Sequence, residues 1–218
     1  MNKNVVDHEM YAAILREELL LAMGCTEPVA VAYAAACARS LLPSGTMPES
    51  CVLYVSGNII KNVKSVVVPN TDGMHGLEAA AAVGIAGGDE KAGLQVIANV
   101  TQEKSAAARR LLENCRFTVC PARNDKVFYI EVRLQAGAEE TGAVIEDFHT
   151  NLTRWERNHT ALPLPRNIGA GPETTALTDR SGMTVEGILE FAAHADLDPL
   201  RELLERQIAC NMAIAEEG

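Results

Sequence analysis

Residues 127–134 read VFYIEVRL, with Val127, Tyr129, Glu131 and Arg133 alternating against Phe128, Ile130, Val132 and Leu134. A period of two belongs to a strand, whose successive side chains point to opposite faces of a sheet. Phe117 to Val119, Gly142 to Phe148 and Leu152 to Arg157 are similar short runs separated by polar turns. Together they predict an antiparallel β-meander over about 115–158.

Upstream the period changes. Residues 8–23 place Tyr11, Ile14, Leu15, Leu19 and Met23 at helical spacing. GCTEP, residues 24–28, interrupts that helix. Pro28 suits the first turn of a second helix, where its missing N–H costs nothing, and Thr26 or Glu27 serves as cap. The second helix, 28–42, is Ala-rich all round and is expected to be buried. CVLYVS, 51–56, reads as a strand, followed by a turn or short helix at 57–62. Val66–Val68 is another apolar run, ended by Pro69. Helices are expected at 76–86, closed by Gly87–Gly88, and at 94–112. Residues 160–182, rich in Pro, Gly and Thr, are expected to be a linker or ordered loop. Thr184 opens a helix at 185–194 and Pro199 starts the last one. The fold class expected is α+β: small-residue helices packed with short strands plus an antiparallel β-meander. Two lobes are expected, a helix-rich one at 1–113 and one at 114–218 holding the meander, linker and terminal helices.

Composition narrows the function. The chain has 218 residues, a net charge of −10, 48% hydrophobic residues and only 4% aromatic ones. A nucleic-acid partner needs clustered Lys and Arg, and so does an anionic membrane surface; neither is expected. The longest apolar stretch, Pro28 to Cys37, is too short to span a bilayer. The six cysteines, Cys25, Cys37, Cys51, Cys115, Cys120 and Cys210, show no paired spacing, and no targeting segment is expected before them. They read as reduced thiols of a cytoplasmic protein, and Cys115 and Cys120 lack the second pair of a zinc ribbon.

Four segments hold candidate chemistry. Cys25 stands before a Pro-started helix, where unpaired N–H groups and the helix dipole favour a thiolate; a buried packing residue is the other reading of a lone Cys. In SGNIIKN, 56–62, Asn58, Lys61 and Asn62 are three and four apart and share a helical face. One cation and two amides there suit an amino-acid carboxylate, against ordinary turn chemistry with a solvated lysine. VPNTDGMHG, 68–76, is a Gly/Asn/Asp loop whose N–H groups suit an anion or simply connect two elements. His149–Thr150–Asn151 lies between two expected strands, either aimed at a site or forming a hairpin turn.

The same segments, in order, carry a family likeness. GCTEPVAVAYAAA (24–36), VSGNIIKN (55–62), VVVPNTDGMHGLEAAAAVGIAGG (66–88), AGLQVI (92–97), FHTNL (148–152) and CNMAIAEEG (210–218) together resemble the N-terminal half of the L-cysteine desulfidase family, the serine dehydratase alpha-subunit-like proteins. The resemblance implies an iron–sulfur lyase that converts L-cysteine to pyruvate, ammonia and sulfide, or an L-serine dehydratase. It implies a [4Fe–4S] cluster in the complete enzyme. Carried over, Cys25 is a cluster ligand or an acid/base, with Lys61 and His149 as further catalytic residues. Asn58, Lys61, Asn62, Thr71 and Asn151 are then substrate contacts. The family's C-terminal half brings further cysteines that this sequence does not show, so this chain alone is expected to bind no cluster and to be inactive. A non-catalytic half-chain, binding an amino acid or docking a separate C-terminal subunit or a second copy of itself, is the reading from another class.

Overall fold

The computed structural model describes residues 6–22, 24–165 and 178–217. The described residues form seven α-helices and a six-stranded mixed sheet, an α+β fold. They fall into two compact units, Ala22–Ala170 and a second made of Met1–Leu21 with Gly171–Gly218. The chain therefore does not divide at 113/114: helices from before that point and strands from after it share one core.

In the larger unit, α2 (Thr26–Ser40) is buried from Pro28 through Ala38, on every side, as its alanines require. Strand β1 (Ser50–Val55) follows, then the short helix α3 (Gly57–Val63) and α4 (Leu77–Gly87). α4 crosses α2 so closely that a Cβ added at Gly84 would fall on the Ala32 carbonyl. Small side chains at the crossing admit this approach.

A single helix over 94–112 does not form. A 3-10 turn occupies Gly93–Gln95, and α5 spans Gln102–Asn114. Thr101 decides the start, because its side chain accepts a hydrogen bond from the Lys104 N–H and satisfies one of the helix's unpaired donors. The run 66–68 forms only a bridge, Val67 to His75.

The sheet has the order β2-β1-β3-β4-β5-β6. β3 (Tyr129–Ala136), β4 (Glu139–Glu146), β5 (Leu152–Arg157) and β6 (Thr160–Ala161) form the antiparallel meander. β2 (Arg116–Pro121) is not part of it; it pairs parallel to β1, a crossover made through α3, α4 and α5. Alternation sorts the two faces. Leu53, Val55, Ile130, Val132, Leu134, Ala143 and Ile145 are buried in the core that holds α2 and α4. The opposite face bears Glu131, Arg133, Arg154 and Glu156 in a connected set of ion pairs.

The smaller unit holds α1 (His8–Glu18), α6 (Val185–His194), a 3-10 turn at Asp198–Leu200 and α7 (Arg201–Glu217). Tyr11, Phe191 and Leu200 are its buried centre. Glu17 accepts hydrogen bonds from Thr178 and Arg180. Much of the expected linker, 166–177, lies outside the described residues. No helix among the described residues is long and apolar enough to cross a membrane.

Candidate functional site

The site is built around Glu27, in the first turn of α2. Gly24 leads into it at a φ of +110°, which only glycine adopts readily, and a Cβ there would also press on Pro69 at 3.3 Å. This glycine brings the Pro69–Gly76 loop against the helix start. Cys25 is the N-cap, but its side chain makes no capping bond. Instead its thiol donates to Glu27 Oε2 at 3.2 Å, and Thr26 Oγ1 donates to the same oxygen at 3.4 Å. From α3, Asn62 Nδ2 donates to Glu27 Oε1 at 3.2 Å. His149, in the turn between β4 and β5, lies within electrostatic reach of Glu27 and stacks edge-on against Phe128, ring centroids 4.6 Å apart.

The charges follow from these contacts. Burial alone pushes the Glu27 carboxyl up. Hydrogen bonds from Cys25, its own N–H and Asn62, and the His149 imidazole, outweigh that and hold it below its ordinary value. Burial lowers the His149 pKa, with Glu27 opposing, so the neutral imidazole is favoured at neutral pH. Burial also raises the Cys25 pKa, and its hydrogen bond to the Glu27 carboxylate raises it further. This runs against the thiolate expected from the helix start: burial first, and then the hydrogen bond to the carboxylate, raise the Cys25 pKa and favour the thiol. The ionised carboxylate, neutral imidazole and exposed thiol can respectively bind a cation, accept a proton and give one.

The other candidates distribute unevenly. Asn58 and Lys61 are exposed on α3, the same short helix as Asn62. Thr71 is buried, and its hydroxyl donates to the Val68 carbonyl at 2.6 Å. It braces the loop and has no free face for a substrate. Asn151 bonds the Glu146 carbonyl and forms the turn that carries His149. Two residues with no part in the sequence reading of the site matter here. By sequence Glu27 reads only as a cap, and nothing local reveals that Asn62 and His149 converge on it. Arg109, on α5, donates to the Thr71 and Asp72 carbonyls at 3.0 and 2.9 Å and fixes the loop, where Asp72 has a φ of +53°.

The cluster implied above does not fit the described residues. Holding it needs several converging thiolates, and Cys25 is the one thiol at this site. Cys37 and Cys115 are buried and pushed up to about 12 and about 11 by desolvation, and Cys51 is pushed up more strongly still. Among the described residues no three His, Cys, Asp or Glu side chains are grouped to hold a metal ion.

Comparison with known proteins shows what the chain is similar to. No family model matches it. Over 211 residues it is 42% identical to a UPF0597 protein of Desulfitobacterium hafniense, covering 97% of this chain and 48% of that one. A UPF0597 protein of Fusobacterium nucleatum is 39% identical over 96% of this chain and 48% of its own. One from Dichelobacter nodosus is 39% identical over 100% and 49%. The chain is similar to UPF0597 proteins. It spans about half the length of the curated relatives it matches. The resemblance to the L-cysteine desulfidase family is therefore corrected: the proteins that match GCTEP through the last helix carry another family's name, one that states no activity.

Proposed function

We propose that the Glu27 cluster binds a small amino acid and supplies the acid–base groups of a lyase acting on L-cysteine or L-serine. The observation that carries this reading is the ionised Glu27 carboxylate, held by Cys25 and Asn62 and facing an imidazole kept neutral. Glu27 takes the α-ammonium group. Lys61 and Asn58, exposed beside Asn62, take the α-carboxylate. His149 accepts the α-proton, the electron pair forms the Cα=Cβ bond, and the C–S or C–O bond breaks. The Cys25 thiol gives the departing sulfur or oxygen its proton, and His149 returns one to Cys25. The aminoacrylate left behind hydrolyses to pyruvate and ammonia.

Titration of the protein with L-serine and L-cysteine, followed by NMR at the His149 ring and the Asn62 amide, tests the reading. Saturable shifts are expected with either amino acid, lost in Glu27→Gln. If neither amino acid shifts these signals, the reading falls. A second reading, a half that docks another polypeptide or a second copy, is favoured by the exposed apolar residues of α7: Ile208, Met212 and Ile214 are 60%, 54% and 68% exposed. A dimer mass by light scattering is its expected sign.

A further inference from the structure

A cavity lies at the end of α2 opposite the Glu27 cluster. It encloses about 280 Å³, small for a ligand pocket, and Arg39, Ser40, Gly87, Gly88, Glu90 and Lys104 line it. At a rise of about 1.5 Å per residue, the 15 residues of α2 separate this cavity from Glu27 by roughly 20 Å.

The anomaly is Arg39. Its side chain is half-buried, its Nε is wholly buried without a hydrogen-bond partner, and among the described residues its guanidinium joins no ion pair. Buried donors are nearly always satisfied, so an unpaired one needs a reason. Burial lowers the Arg39 pKa without making a guanidinium neutral, so the charge stays. Across the cavity, Lys104 Nζ gives one hydrogen bond to the Gly87 carbonyl at 3.2 Å and keeps two donors. Glu90 is a third charged group on the wall and has no ion pair among the described residues.

One bland account is that Arg39 and Lys104 only offset the carbonyl ends of α2 and α4. It explains the Lys104–Gly87 bond. It explains neither the Arg39 Nε nor the Glu90 carboxylate on the same cavity wall, each without a partner among the described residues. The glycines hold the walls together: a Cβ at Gly87 would meet Lys104 Cβ at 2.9 Å, and one at Gly88 would meet Ala36 Cβ at 2.9 Å.

We infer that this cavity is a binding site for a small zwitterionic amino acid, with Arg39 and Lys104 on the carboxylate and Glu90 on the ammonium. Two cations and one carboxylate match one ligand of that form. A dianion such as phosphate matches less well, because Glu90 and the helix carbonyl ends repel it. The site is separate from the Glu27 cluster and does not rest on any reading of it.

NMR titration of the protein with glycine, acetate and inorganic phosphate tests the inference, read at the Arg39 Nε–H and the Gly87 and Gly88 amides. Glycine is expected to give saturable shifts and to bind more tightly than acetate or phosphate. Lys104→Gln, at an exposed position, and Arg39→Met, which keeps the stem, should each weaken glycine about three- to tenfold. The His149 ring reports the Glu27 cluster in the same spectra and keeps the two sites apart. Absence of saturable shifts with every probe overturns the site. Tighter binding of phosphate than of glycine overturns the amino-acid assignment, and equal binding of acetate and glycine removes Glu90 from it.

Discussion

At the residue scale, Cys25 shows how one contact reverses an expectation drawn from position. A cysteine at a helix start gains from N–H donors and the dipole. Here the sulfur faces the Glu27 carboxylate, and deprotonation would place two negative charges 3.2 Å apart. Burial and that carboxylate together raise the thiol's pKa. Alkylation of Cys25 by iodoacetamide at neutral pH should therefore be slower than that of an unhindered free thiol. Glu27→Gln removes the charge but keeps an acceptor, and should speed the reaction by shifting its pH–rate curve to lower pH. An unchanged curve would mean that Glu27 does not govern the thiol. Mass mapping of the labelled peptide separates Cys25 from Cys120 and Cys210, which are also partly accessible.

At the element scale, the crossing of α2 and α4 sets the positions of both α2 ends, and so of both sites. Its closeness rests on Gly84, since an added Cβ would meet backbone, which cannot rotate away as a side chain can. Helix propensity alone predicts that Gly84→Ala stabilises α4 by about 1 kcal/mol. The packing predicts the opposite sign, because overfilling a close-packed core costs about 1–3 kcal/mol and sometimes more. Urea denaturation of Gly84→Ala decides between them. A loss of stability is expected, with a shift in the Asn62 and His149 signals as α2 moves. A gain would show that the helices have room to separate.

At the scale of the whole molecule, the outer sheet face ties β3, β4 and β5 together by charge, Arg133 of β3 also pairing with Glu140 of β4 at 3.2 Å. Glu131 is buried; it accepts from Tyr129 Oη at 2.6 Å, Arg133 Nε at 2.7 Å and Arg154 Nη2 at 2.8 Å. Burial works against its ionisation, but these donors prevail and hold the carboxyl below its ordinary value of 4.5. A lowered folded-state pKa means that this stability is fully present above about pH 4.5 and is lost as the pH falls through the lowered value. Glu131→Gln should cost about 1–3 kcal/mol at neutral pH, reduced from the range for buried pairs because both arginines are about a third or more exposed. It should also flatten the acid limb of a plot of stability against pH. An acid limb as steep as that of the parent protein would place the acid-sensitive group elsewhere.

The local pattern settled most of the elements. The alternation at Val127–Leu134 is β3 shifted by two residues, and the unbroken alanines of α2 are buried because an all-apolar helix has no face to give to water. The α6 boundaries were legible because Thr184 accepts from the Gly187 N–H, a cap written in adjacent residues. The start of α5 was not, because the apolar period runs on through 94–101 and only the Thr101 cap ends it. Topology also lay beyond the pattern: β2 has the composition of a meander strand, yet its partner is β1, which no local property encodes. The same limit holds for the site. Cys25, Asn62 and His149 could each be picked out by residue type and neighbours. That Glu27 joins them, that burial and its carboxylate raise the Cys25 pKa, and that Arg39 Nε has no partner among the described residues at the far end of the same helix depend on segments distant in sequence. Sequence determines what a residue can donate, accept or bury; only the folded chain decides which groups meet, because hydrogen bonds and desolvation act over a few ångströms of space and take no account of separation along the chain.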